Sequence, residues 1–292
     1  MRGCNTTSCF FVSDLHGHVD RYEKLFAAIA DERPAAVFLG GDLLPSGLAP
    51  AEALDVGHRD FVNDFLAANF SKLRKSLAGD YARVMLILGN DDPRFEESAI
   101  LDVATRGVWE YIHARRTRLG ETSVYGYAFV PPTPFMFKDW ERYDVSRYVD
   151  VGCTSPEEGH RSVPMSEHEI RYTTIREDLE RLVGDDALDR AVFLFHSPPY
   201  QSHLDRAALD GRVIDHVPLD VHVGSIAIKK FIERHQPLVT LHGHVHESTR
   251  LTGSWKDRIG RTVCLSAAHD GPELALVRFD LEDPAAATRE LI

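Results

Sequence analysis

The sequence predicts an α/β protein, and two patterns predict it. Short apolar runs recur at 10–12, 37–39, 84–88 and 192–195, with a fifth, interrupted only by Thr240, at 238–241, the pattern of strands buried on both faces. Between several of them lie longer stretches with apolar residues at helical spacing. Each run is followed within two residues by Gly, Asp or His, so the residue types able to do chemistry gather at strand ends.

Residues 9–13 read as the first strand. Asp20 and Glu23 form a capping box for a helix with Tyr22, Leu25, Phe26 and Ile29 on one face, and Pro34 stops it. Residues 35–39 complete a β-α-β unit, with polar residues at the carboxyl ends of its strands, where open α/β sheets place their sites. A loop rich in Pro, Gly and Ala spans 43–57. Phe61, Phe65, Leu66, Phe70, Leu73 and Leu77 then mark an amphipathic helix up to Gly79, followed by the strand 84–88 and a helix near 96–106. Short β-like pieces fill 108–130, as in the middle of a two-sheet sandwich.

Residues 131–170 break the pattern. Prolines, charges and aromatics (Phe135, Phe137, Trp140, Tyr143, Tyr148) follow no clean period. A stretch this long without structure of its own is usually functional or mobile. It is read either as an irregular insertion on the domain edge or in an oligomer contact, or as a flap bordering the active site. Residues 172–183 look helical, the strand 191–195 delivers His196, and a polar loop at 198–223 holds His203, His216 and His222. Gly224-Ser225 opens a helix to Arg234; Ser225 caps it, and N–H groups at such a start can also hold an anion. Beyond the strand 238–241, residues 262–266 and 274–281 are expected to finish the second sheet.

At 292 residues, 43% hydrophobic and 27% charged, the chain is expected to form one domain over 1–292 with a substantial core. A formal net charge of −12 argues against a general nucleic-acid-binding surface, although bound cations would reverse the sign locally. Cys4, Cys9, Cys153 and Cys264 make no CxxC pair, which fits reduced thiols in the cytoplasm. The first residues lack the basic region and apolar core of a secretion signal. No apolar run approaches the roughly 18 residues of a membrane span.

The chemistry concentrates in five blocks: Asp14-x-His16, Gly41-Asp42, Gly89-Asn90-x-Asp92, His196 and Gly243-His244-x-His246. If the strand persisted, alternate side chains would put His244 and His246 on one face; the expected geometry is instead a turn at Gly243 just past the strand, from which two imidazoles reach one site. Singly, Asp14 and Asp42 also suit helix caps or turns, residues 90–93 an ordinary turn, and His196 a core histidine. Together and in this order, the blocks resemble the calcineurin-like metallophosphoesterase superfamily. That resemblance implies a four-layer α-β-β-α sandwich of two mixed sheets flanked by helices, with a dinuclear metal site at one end. It assigns Asp14, His16 and His246 to one ion, Asn90, His196 and His244 to the other, and Asp42 to both. It also implies hydrolysis of a phosphate ester by a metal-bridging hydroxide attacking in line. Manganese or iron is expected from the family, while Zn, Co, Ni or Mg also suit such ligands.

One position departs from the resemblance. Many members carry a histidine after Gly-Asn that is thought to protonate the leaving group; here it is Asp91. A carboxyl beside two cations is a poor acid near neutrality. Three outcomes follow: His222 or His18 donates the proton, the leaving group needs little help, as in activated or cyclic diesters, or the protein is a slow enzyme with another role. The catalytic set is therefore read as Asp42, Asn90, Asp91 and His222. His18, His242 and His269 are assigned supporting roles, and His58, His113, His160, His168 and His235 are placed on the surface. Around His196-Ser-Pro-Pro-Tyr200, His222-Val-Gly-Ser225 and residues 243–248, the last third of the chain is similar to the prokaryotic Icc-like phosphoesterases. The function expected is metal-dependent hydrolysis of a small phosphate ester, a nucleotide among the candidates, with a phosphodiester preferred. The alternatives are a phosphomonoesterase or protein phosphatase, and a non-catalytic metal-binding scaffold.

Overall fold

In the computed structural model, which describes residues 7–46 and 60–292, the chain opens with β1 (Ser8–Val12), α1 (Val19–Glu32) and β2 (Ala36–Gly40). Cys4, His58 and most of the loop expected at 43–57 lie outside the described residues. A π-helical stretch (Phe61–Ala67) runs into α2 (Ala68–Leu77), followed by β3 (Arg83–Ile87), α3 (Glu97–Thr105) and β4 (Glu110–Tyr111). Strands β5 (Arg115–Leu119) and β6 (Thr122–Tyr127) form a hairpin; α4 (Glu167–Tyr172) and α5 (Ile175–Val183) then lead to β7 (Val192–Phe195). A small exposed hairpin, β8 (Val213–Ile214) and β9 (Val217–Pro218), precedes α6 (Ile226–His235), β10 (Val239–His242) and α7 (Ser248–Thr252). The chain closes with β11 (Lys256–Ile259), β12 (Thr262–Ser266), β13 (Ala275–Asp280) and β14 (Thr288–Leu291).

Two six-stranded mixed sheets, flanked by helices as predicted, make up the body. Their orders are β14-β13-β1-β2-β3-β4 and β11-β12-β10-β7-β6-β5. In the first, β1 to β4 run parallel; in the second, β6, β7, β10 and β12 do. Strand β2 lies against β7 and β3 against β6, so the sheets share one core. The near-continuous apolar strands follow from this double coverage: every residue of β2, β7 and β10 is buried.

Three sequence expectations need correction. Helix α1 begins one residue before Asp20, with His18 at the N-cap and no side-chain cap. The turn closed by His18 N on Leu15 O starts the helix early, and Asp20 instead sits in the first turn, where it complements the helix dipole. The strand at 274–281 joins the first sheet, not the second: β13 pairs antiparallel with β1. An apolar run announces a strand but not its partner, and β1 has a free edge that β13 covers. The N–H groups that open α6 are not left for an external anion, because Ile226 N and Ala227 N donate to Asp144, as does Ser225 Oγ. Among the described residues no helix is long and apolar enough to cross a membrane.

Candidate metal centre

Five loops leaving the carboxyl ends of β1, β2, β3, β7 and β10 meet at one end of the paired sheets, three from one sheet and two from the other. They bring together all seven residues expected as metal ligands. Asp14, His16, Asp42 and His246 gather one donor atom each within 4.8 Å of one another. His246 Nε2 is 3.2 Å from Asp14 Oδ1 and 3.2 Å from His16 Nε2. Beside this group, His196 Nε2 is 3.0 Å from Asn90 Oδ1 and 3.2 Å from Asp42 Oδ2. The His244 ring lies edge-on to that of His196, with centroids 5.3 Å apart. Asp42 Oδ2 also stands 3.9 Å from His16 Nε2, so a single oxygen faces both groups.

The backbone is bent to achieve this. Asp14, His16, Asp42 and His244 all take positive φ, between 46° and 75°, a region that non-glycine residues seldom occupy and that clusters at functional sites. Asp14 N donates to Gly41 O and His16 N to Asp42 O, which locks the first two loops together. Arg21 on α1 holds Asp14 O through Nη1 at 2.8 Å. Two glycines allow the close approach: a Cβ on Gly89 would lie 2.3 Å from Asp42 Oδ1, and one on Gly243 would lie 2.7 Å from Asp14 Oδ2.

Hydrogen bonds also orient the rings. His196 Nδ1 is 2.8 Å from Gly40 O, and His16 Nδ1 is 3.1 Å from Asp91 Oδ2. Burial alone would raise the Asp14 and Asp42 carboxyls, but the surrounding imidazoles outweigh it. Asp14 lies well below the ordinary carboxylate range, and Asp42 falls to about 2. Against burial, the neighbouring carboxylates push His16 and His196 up to about 9. His244 goes the other way, down to about 3, through burial and the His196 charge. Both carboxyls are thus ionised at neutral pH, the state a divalent cation requires.

Asp91 is no free turn residue. Its oxygens take Ser46 Oγ at 2.8 Å and face His16, while its N–H donates to Asp42 Oδ1. Asp92, quoted in the third block without a role, is fully buried and accepts from Leu43 N, Leu44 N and Gly89 N. It pins the loop after β2 to the loop after β3; burial and nearby Asp42 push its pKa up to about 7. His222 is placed elsewhere: Nδ1 is 2.8 Å from Asp205 and its ring packs on Tyr200, and it is not among the residues lining the cavity at the cluster. His18 is absent from that lining as well. His242 is buried between Ser197 O and Thr240 Oγ1, a structural role.

The cavity has a volume of about 330 Å³. Besides ligand-type residues and Asp91, it is lined by Ser46, Glu247 and two aromatics of the irregular segment, Phe135 and Phe137. The flap reading of that segment therefore has support. Ser46 and Glu247 carried no signal of their own in the sequence.

The fold and its buried carboxylate–imidazole cluster define a protein of the metallophosphoesterase class. The chain belongs to the calcineurin-like phosphoesterase family, whose model matches residues 8–248. Over 98% of its length it is similar in fold to TT1561 of Thermus thermophilus, at 16% identity, with a TM-score of 0.56 and 99% of that chain covered. A further crystal structure is similar at 17% identity, with a TM-score of 0.59, 98% of this chain and 99% of the other covered. No curated protein matches the chain.

Proposed function

We propose that the protein hydrolyses a small phosphate ester, a diester in preference to a monoester, at a centre of two divalent ions. Asp14, His16 and His246 would hold one ion, Asn90, His196 and His244 the other, with Asp42 shared. The observation that carries this reading is Asp42 Oδ2, 3.2 Å from His196 Nε2 and 3.9 Å from His16 Nε2. The donor set fits: carboxylate, amide and imidazole groups suit manganese or iron, and the carboxylates are ionised. Bound ions would supply an acidified water for attack on phosphorus and positive charge for the phosphoryl oxygens.

The chain's own groups prepare that chemistry. Gly40 O and Asp91 each hold an Nδ1–H, so when a cation displaces the second proton of His196 and His16, Nε2 is the atom left to bind it. Asp91 is thus a positioning residue, its two oxygens engaged by Ser46 and His16. With both oxygens engaged it is not placed as a donor to a leaving group, and this supports an ester whose leaving group needs little help.

The test is hydrolysis of bis-p-nitrophenyl phosphate and p-nitrophenyl phosphate by metal-stripped protein with Mn²⁺ restored, beside Asp42→Asn. Faster, metal-dependent cleavage of the diester that Asp42→Asn abolishes is the expected result. Faster cleavage of the monoester would replace the diester reading with a phosphomonoesterase.

A further inference from the structure

We propose that Phe135 and Phe137 form a subsite for a flat, uncharged aromatic substituent carried on the phosphoryl group. The proposal deepens the phosphoesterase reading and rests on it. Both residues line the cavity at the cluster; Phe135 is 54% exposed, whereas Phe137 is 9% exposed. An aromatic face left open beside a polar cluster is a surface on which a ring can stack.

The wall is built in advance. Trp140 Nε1 donates to Asp92 O at 2.9 Å, and Asp139 accepts from Arg94 N, so the segment is tied to the loop that carries Asn90. Phe137 bridges to His160, whose N–H donates to Met136 O. Lys138 next to it is fully buried, bonded to Thr133 O and Glu141. Phe135 N itself donates to Thr133 Oγ1. Pre-ordering of this kind lowers the entropic cost of binding.

Charge and volume set the class of ligand. Among the described residues no Lys or Arg lines the cavity, and Glu247 adds a carboxylate. Among the described lining residues a second phosphate would meet no counter-charge away from the cluster, which disfavours polyphosphates and nucleic-acid strands. A cavity of about 330 Å³ sits at the small end of ligand pockets, roughly 300–1,000 Å³. It suits one phosphoryl group and one ring.

Calorimetric titration of the full-length, Mn²⁺-loaded protein with phenylphosphonate and methylphosphonate tests this without turnover. The phenyl compound is expected to bind about tenfold tighter. Phe135→Ala should abolish that preference while leaving methylphosphonate binding unchanged, and Phe135→Trp should keep it. Equal binding of the two compounds by the parent protein, or a preference that survives Phe135→Ala, overturns the subsite alone. Failure to bind either compound overturns the phosphoesterase reading and the subsite with it. Thermal melting of each variant confirms that its fold is retained.

Discussion

His16 presents Nε2 to the cluster because Asp91 stands 3.1 Å from its Nδ1, and Ser46 in turn holds Asp91. Removing such an outer partner typically costs about 10–100-fold in metal affinity. Asp91→Ala is therefore expected to weaken Mn²⁺ binding by about that factor in calorimetry, and Asp91→Asn, which keeps an acceptor oxygen, by less. Unchanged binding in Asp91→Ala would remove Asp91 from this role. Gly89→Ala probes the same geometry from the backbone. Its Cβ would meet Asp42 Oδ1 and would lie 2.5 Å from the backbone Asp42 N and 2.7 Å from His196 Cε1, so the loop after β2 must shift: metal binding should fall sharply and the thermal midpoint should drop. At this scale the ligand-type residues were legible because each follows an apolar strand. His222 was not, since nearness to a motif says nothing of direction, and Asp205 holds it away from the cavity lining.

Among the elements, the doubly covered strands were read within a residue or two, because double-sided burial writes itself into composition, whereas the largely exposed β8, β9, β11 and β14 were not read. Partners and caps were not, since a free β1 edge or a carboxylate arriving from Asp144 depends on distant chain. The irregular segment shows the same limit: its aromatics were visible, but not that Trp140 bonds the Asp92 carbonyl. Trp140→Phe deletes that bond and keeps the ring. It should cost about 1 kcal/mol of stability and raise KM for an aryl diester several-fold with little change in kcat. His113, expected at the surface, instead packs against Tyr127, Phe129 and Trp140 and accepts from Ala128 N. Burial, then Arg94 and Arg142, push its pKa down to about 3. The unfolded chain therefore binds the proton more readily between about pH 6.5 and 3. Stability is complete above that window and falls as the pH drops through it, by at most about 1.4 kcal/mol per unit. Denaturant melts at pH 7.5 and 5 should show a shallower fall for His113→Gln; equal slopes would exclude the effect.

For the whole molecule, the decisive feature is that the site belongs to neither sheet. Asp14, Asp42 and Asn90 come from one, His196, His244 and His246 from the other, so their approach within one cluster exists only when the sheets are stacked. The order of motifs pointed to the residues that meet here, whereas the stacking that brings them together is a property of the folded core. Folding and metal binding are consequently linked, because the unfolded chain holds these side chains far apart. A cation that binds only the folded state adds about 2.7 kcal/mol when present at 100 times its Kd. Mn²⁺ at that excess should raise the thermal midpoint of the parent protein by a few degrees. Asp42→Asn, which takes the shared charge from both groups, should show a clearly smaller rise. Phe135→Ala, which touches only the cavity wall, should show the full rise. A parent midpoint unmoved by Mn²⁺, iron(II) or Zn²⁺ would mean that the cluster holds no divalent ion, and the hydrolytic reading would fall with it.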